Sequence, residues 1–271
     1  MIQDDFDRLQ ALMASRAGFR LGRDRIHLAE HRLAPVARRE GFDSVDDLLA
    51  SLWAKPVASL GWAVIEALLN PETWFRRDRA VFDTFAQELL PAIARARPEG
   101  LVRVWSAGCS HGQEPYSLAM AALDTGANVE IVATDLSQRA IERGRSAAYT
   151  AFEIQRGLHA QAMLNWFDPT DDVWVAKPAL RDAVRFARHN LLDAPADGAR
   201  FDVILCRNIL SEMDPARRGQ VVDGLERRLV DDGVLILGAD ERIDADTVAF
   251  RPVTGRKGLF VKAPSALSRA A

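Results

Sequence analysis

The chain has 271 residues, a formal net charge of -3, 48% hydrophobic residues and 27% charged ones. That length holds one large or two small domains, and the composition is ordinary for a globular protein. A slightly negative chain gives no footing for nucleic acid, and no apolar run reaches the length of a membrane span.

The N-terminus, MIQDDFDRLQ, is acidic and polar, unlike a signal peptide. Phe6, Leu9, Leu12 and Met13 form one helical stripe, and Ile26, Leu28, Leu33 and Val36 form one or two more. Phe42, Val45, Leu48, Leu49 and Leu52 make a further helix, with Ser44 as its N-cap. These elements predict a small all-α domain over 1–55. Arg16, Arg20, Arg23, Arg25, Arg32, Arg38 and Arg39 crowd one stretch of it, against only Asp24 and Glu30. Such a face either is simply solvated or docks an acidic helix of a protein partner. Pro56 marks a linker, Leu60 to Leu69 a short helix, and Asn70-Pro71 its end. An amphipathic helix carrying Val81, Phe82, Phe85, Leu89 and Leu90 follows Glu72 to Asp78, and Pro91 to Gly100 connects onward.

Val102, Val104 and Trp105 supply a buried strand, Ser106 to Gly112 a loop of mostly small residues, and Gln113 onward a helix with Pro115 in its first turn. Strand, loop and helix are the first unit of an open α/β sheet, whose ligands bind beyond the strands' carboxyl ends. The loop lacks the Lys-Ser/Thr of a P-loop, and Gly108 and Gly112 lack dinucleotide spacing. Val129 to Asp135 is a second strand ending in an acid placed for ribose hydroxyls. A ribose acid without a phosphate cradle points to a phosphate-free nucleoside such as S-adenosylmethionine (SAM).

Ser137 caps the next helix, and Phe152 to Phe167 predict another with a weak point at Gly157. Val173 to Val175 and Ala183 to Phe186 read as short strands. Phe201 to Cys206 resumes the sheet, Pro215 to Val230 is helical, Asp232-Gly233 a turn, and Val234 to Leu237 and Gly258 to Val261 final strands. The tail after Ala263 is expected to be disordered. Alternating strands and helices imply a doubly wound, mostly parallel sheet over 56–271. Cys109 and Cys206 are the only cysteines, which suits a reducing cytoplasm. His111 has no Cys/His partner at zinc-ligand spacing, so no metal site is expected.

AGCSHGQEPYSLAM resembles the signature of the CheR chemotaxis-receptor methyltransferases. ETWFRRD (Glu72 to Asp78), RHNLLD (Arg188 to Asp193) and FDVILCRNIL (Phe201 to Leu210) match that family's order and spacing, so the resemblance runs from about Phe19 to Lys262. It implies a SAM-dependent methyltransferase fold, an N-terminal helical domain that meets the substrate, and a small antiparallel β insertion, placed here near 168–189. It also implies methyl transfer to glutamates of a chemoreceptor or other signalling protein, giving a glutamyl methyl ester and S-adenosylhomocysteine. The cofactor-binding residues it implies are Thr73, Arg77, Gly108, Glu114, Asp135, Asn190, Leu191 and Asn208, with Arg207 less firmly matched.

Arg77 takes the place of the family's motif arginine and is the candidate catalytic residue, holding the already ionised substrate carboxylate. Its bland alternative is an ion pair with Asp78 or Asp83. Asp135 and Asn190 have alternatives as turn or cap residues, and Glu114 as a helix-start carboxylate. Two departures stand out: Arg76 replaces a phenylalanine, and Glu212 stands where the family commonly has a tyrosine near the methyl group. An anion there repels a carboxylate substrate unless neutralised. The rival expectation is therefore a catalytically weak SAM-binding regulatory module. The short, acidic stretch between Phe167 and Arg188, with no long glycine-containing loop, predicts that no receptor tail is bound there by strand addition.

Overall fold

The computed structural model describes residues 1–55, 57–193, 198–244 and 249–263. Pro56 and the tail after Ala263 lie outside the described residues. Two compact units emerge: Met1–Asn70 with Glu212–Arg218, and Pro71–Ser211 with Gly219–Ala271.

The first unit holds α1 (Gln3–Arg16), α2 (Ile26–Arg39), α3 (Val45–Ala54) and α4 (Ala58–Leu68). Each buries a stripe at helical spacing: Phe6, Leu9 and Met13; Leu33 and Val36; Leu48, Leu49 and Leu52; Leu60, Val64 and Leu68. Each such side chain contributes about 1.5–3 kcal/mol of transfer free energy. Ser44 caps α3, accepting from Asp47 N–H at 3.1 Å. The unit runs past the expected boundary at 55, because α4 packs on α2 and Arg32 donates to Leu68 O and Leu69 O at 3.1 and 3.0 Å. A proline in a short connection does not by itself end a domain.

The second unit opens with α5 (Arg79–Thr84), a π turn (Phe85–Leu89) and α6 (Leu90–Ala96). The helix thus continues through Pro91, where the sequence suggested a connection. Pro91 cannot donate to the preceding turn, and the wider π turn just before it takes up the misfit. There follow β1 (Val102–Ala107), α7 (Gln113–Thr125), β2 (Val129–Asp135), α8 (Gln138–Ser146), β3 (Ala148–Tyr149), α9 (Ala151–Gln155), α10 (Ala160–Trp166), β4 (Phe167–Pro169), β5 (Trp174–Ala176), α11 (Pro178–Asp182), β6 (Val184–Arg188), β7 (Phe201–Leu205), α12 (Pro215–Arg228, which counts with this unit from Gly219 on), β8 (Leu229–Ile236), β9 (Phe250–Pro252) and β10 (Leu259–Lys262).

The main sheet has the order β6-β2-β1-β7-β8-β10-β9. Strands β6, β2, β1, β7 and β8 are parallel, and β10 and β9 are antiparallel. A separate three-stranded antiparallel sheet has the order β3-β5-β4. The small sheet therefore spans 148–176, not 168–189. The expected strand Ala183 to Phe186 instead forms β6 and pairs with β2, Ile131 opposite Val184 through Asp135 opposite Arg188. The single expected helix over Phe152 to Phe167 is two, broken at Gly157. Asp232-Gly233 is an irregularity within β8 rather than a turn before it.

Phe75, Tyr149 and Phe167 pack edge to face at centroid separations of 5.0 to 6.1 Å and join the main core to the small sheet. Tyr149 Oη donates to His111 O at 2.8 Å, so this cluster also fixes the loop after β1.

Candidate functional site

Four adjacent parallel strands, β6, β2, β1 and β7, end on one edge of the sheet. The chain leaves β1 toward β2 on one side while β7 lies on the other, which is where ligands of open α/β sheets bind. Gly108, Asp135, Asn190 and Asn208 each end a strand or follow one by at most three residues. Gly108 and Cys109 N–H donate to Thr134 O at 2.8 and 2.9 Å. Gly108 has φ +80°, a conformation that favours glycine, and a Cβ there would force the Ile209 side chain, whose Cδ1 would lie at 2.6 Å, to move. Asp135 accepts Ser110 N–H on Oδ2 at 2.8 Å and Ser137 N–H on Oδ1 at 2.9 Å. The carboxylate is thus oriented by two loops, and the turn-acid role is real in the geometry alongside any ligand role.

Glu114 sits in the first turn of α7 and accepts Ser106 Oγ–H at 2.9 Å and Arg207 Nη1–H at 3.0 Å. Arg207, only 1% exposed, donates its other terminal nitrogen to Asp78. In the sequence Arg207 stands out only as the arginine directly after a buried strand, and Asp78 only as an ion-pair partner for Arg77. Residues 71–78 are pinned three times: Ser110 Oγ donates to Pro71 O at 2.9 Å, Arg76 N–H to Ser117 Oγ at 3.0 Å, and Arg207 to Asp78. Thr73 and Arg77, both half-buried, lie between these pins.

Arg77 makes neither of the ion pairs weighed for it. Asp78 is held by Arg207, and Asp83 faces Arg79 at 3.6 Å. Its guanidinium lies over Trp74, 4.2 Å from the ring centroid, and Arg156 lies 3.9 Å from the same centroid. Arg76, Asp78, Ser110 and Asn208 all have positive φ, between 47° and 59°. Backbone strain of this kind gathers at ligand sites.

Asn190 Oδ1 accepts Leu192 N–H at 3.1 Å, and its carbonyl accepts Asp193 N–H at 2.9 Å. It shapes the turn after β6 and leaves Leu191 half-buried beside it. Asn208 N–H donates to Glu241 Oε2 at 2.6 Å. That carboxylate, 6% exposed, also accepts Gly238 N–H at 2.8 Å, and its other oxygen accepts Ser211 N–H at 3.0 Å. No sequence signal marked Glu241, whose partners Asn208 and Ser211 lie 33 and 30 residues away in the chain.

Glu212 falls in the helical unit, where Arg25 Nη1 donates to its Oε2 at 2.9 Å. Its charge is neutralised within that unit, and the Arg25 guanidinium is in turn held protonated, first by this bond. Burial pushes both thiols up, with Asp135 and Glu114 adding to the effect at Cys109, so neither is a ready nucleophile. Burial lowers the His111 pKa. Among the described residues, no three His, Cys, Asp or Glu side chains are placed to hold a metal ion, and no helix is long and apolar enough to cross a membrane.

The family model for the CheR methyltransferase, SAM binding domain, matches residues 71–259. The chain belongs to the CheR methyltransferase family. It is 31% identical over 270 residues to the chemotaxis protein methyltransferase Cher2 of Pseudomonas putida, covering 96% of this chain and 98% of that protein. It is 33% identical over 267 residues to the chemotaxis protein methyltransferase of Vibrio parahaemolyticus, covering 95% of each. Among solved structures, the glycopeptide N-methyltransferase MtfA complexed with SAM is 16% identical, with a TM-score of 0.36 over 64% of each chain.

The donor set of this CheR-family cleft suits SAM. The loop from Ser106 to Gln113 contains no Lys or Arg to hold a phosphate, while carboxylates stand at Glu114 and Asp135. Such a set fits a nucleoside whose charged groups are a sulfonium and an amino acid rather than phosphates.

Proposed function

We propose that the chain methylates glutamate side chains of chemoreceptors or related signalling proteins, producing glutamyl methyl esters. What supports this reading is the pinning of residues 71–78, the segment that carries Thr73 and Arg77, to the loop after β1, to α7 and to Arg207. SAM supplies a methyl group on a sulfonium, and the leaving thioether is neutral. Asp135 would receive the ribose hydroxyls, Asn190 and Leu191 would lie beside the adenine, and Gly108, Glu114, Asn208 and Thr73 would hold the rest of SAM. Arg77 holds the substrate carboxylate in line without deprotonating anything, because a glutamate is already ionised near neutrality. Stacking on Trp74 keeps its charge undivided by a carboxylate of its own chain.

The relatives named as chemotaxis methyltransferases support the pathway, and the exposed Arg16, Arg20, Arg23, Arg38 and Arg39 support docking of an acidic partner segment. The protein acts in the cytoplasm on this reading. Strands β3 and β4 offer edges of only two and three residues, which supports recruitment without a tail tether. The rival reading, a weak SAM-binding module, rests on Glu212 and Arg76; pairing with Arg25 neutralises Glu212, while Arg76 remains as a departure from the motif.

The test is transfer of labelled methyl from SAM to receptor-containing membranes of the source cell. Label released as methanol by mild base supports the ester; base-stable label or none overturns it.

A further inference from the structure

Trp74 is half-buried and carries two guanidiniums on its ring, Arg77 at 4.2 Å from the centroid and Arg156 at 3.9 Å. Such contacts are attractive because the face of an indole is electron-rich. Among the described residues the Arg77 side chain donates no hydrogen bond and makes no ion pair. Trp74 is therefore the group that orients it.

The ring is itself held. Arg156 Nη2–H donates to Glu72 Oε1 at 3.1 Å, two residues before Trp74. Gly157 packs against the next residue, Phe75, whose carbonyl oxygen would lie 1.8 Å from a Cβ at that glycine. The turn between α9 and α10 thus meets residues 72–75 at Glu72, Trp74 and Phe75. Two cations on one ring compete for its π charge, and the bond to Glu72 draws the Arg156 charge away from that competition. The Arg156 and Glu72 side chains are exposed, so their pair adds little to stability; its effect is to fix where the indole stands.

We propose that Trp74 is a positioning residue for methyl transfer, holding the Arg77 guanidinium so that its N–H donors stay free for the substrate carboxylate. This rests on the role proposed above for Arg77. A guanidinium presents its donors in one plane and takes a carboxylate in a bidentate fork. Contact with a ring face uses none of those donors, whereas a carboxylate of the same chain would occupy them and compete with substrate. A free arginine would lose its rotamer freedom when substrate binds; on Trp74 that loss has already occurred on folding. In the transfer a carboxylate oxygen forms the new C–O bond as the C–S bond breaks and its electron pair returns to sulfur, and no proton moves. That displacement needs the oxygen in line with the breaking bond, so the device acts on turnover. Arg156 and Gly157 act one step further out, by holding Trp74.

The experiment is steady-state transfer of labelled methyl from SAM to receptor-containing membranes of the source cell, with SAM affinity by calorimetry and the melting temperature of each variant. Trp74→Leu should lower kcat about tenfold and leave SAM affinity and the KM for membranes within about twofold. Trp74→Phe keeps an aromatic face and should restore kcat to within about threefold of the wild type. In an Arg77→Ala background Trp74→Leu should have no further effect, because the group it orients is gone. Should Trp74→Leu melt early, Arg156→Gln, a change at an exposed side chain, should lower kcat about threefold, again only while Arg77 is present. An unimpaired Trp74→Leu, a loss that Trp74→Phe does not recover, or a loss that adds to that of Arg77→Ala overturns this inference and leaves methyl transfer by the wild type standing. A wild type that transfers no methyl group defeats the proposed function, and this inference with it.

Discussion

Arg207→Met tests whether the Asp78–Arg207–Glu114 network holds the cleft together. The side chain is 1% exposed and its partners Glu114 and Asp78 are 13% and 44% exposed. Removing one member of a fully buried pair costs about 3–5 kcal/mol, mostly from the charge left behind. Glu114 keeps its bond from Ser106, and Asp78 is open enough to rehydrate, so we expect a loss of about 2–3 kcal/mol. Urea denaturation of the intact chain reads it. Pairing the change with Glu114→Gln removes the stranded charge and should recover about half the loss. Releasing Asp78 also frees one of the three pins on residues 71–78, so SAM affinity should fall about tenfold, or about 1.4 kcal/mol. A stability loss under about 0.5 kcal/mol, the level of an ordinary surface change, would refute the network as the cleft's scaffold.

Arg77→Ala should cut turnover by about a hundredfold or more while SAM affinity changes little, because its proposed role is at the reacting carboxylate; steady-state kinetics alongside calorimetry separates the two. Gly157→Ala should destabilise strongly, by at least about 3 kcal/mol, since φ is +110° and the added Cβ would lie 1.8 Å from Phe75 O; thermal melting reads it, and a loss under about 1 kcal/mol would contradict that close approach. Bonds from Arg97 lower the Asp232 pKa. Its stabilising contribution is therefore complete above the unfolded carboxylate value of about 3.9 and is lost as pH falls through the lower folded value, so Asp232→Asn should flatten acid unfolding in that window.

The elements that frame the candidate site were legible because they are local in sequence. Strand, small-residue loop and helix over Val102 to Thr125 follow one another within a single unit, and Asp135 and Ser137 are turn and cap residues readable from their neighbours. What escaped depends on pairing across the chain. Whether Val184 to Phe186 joins a hairpin or the main sheet is decided by β2, not by its own residues. The two-residue β3 is too short to show a period. Arg207 reaches Asp78 across 129 positions and Arg25 reaches Glu212 across 187, and no local pattern announces such partners. The departure at Glu212 was visible at once, but its neutralisation was visible only in three dimensions.

The most direct measurement is calorimetry of SAM and S-adenosylhomocysteine with the wild type and Asp135→Ala. The carboxylate is already oriented by Ser110 and Ser137, so its loss should weaken both ligands by about 1–3 kcal/mol, or about fivefold to 150-fold, while the fold persists. Equal affinity in the two proteins would show that the edge beyond β1 and β2 is not where the cofactor binds.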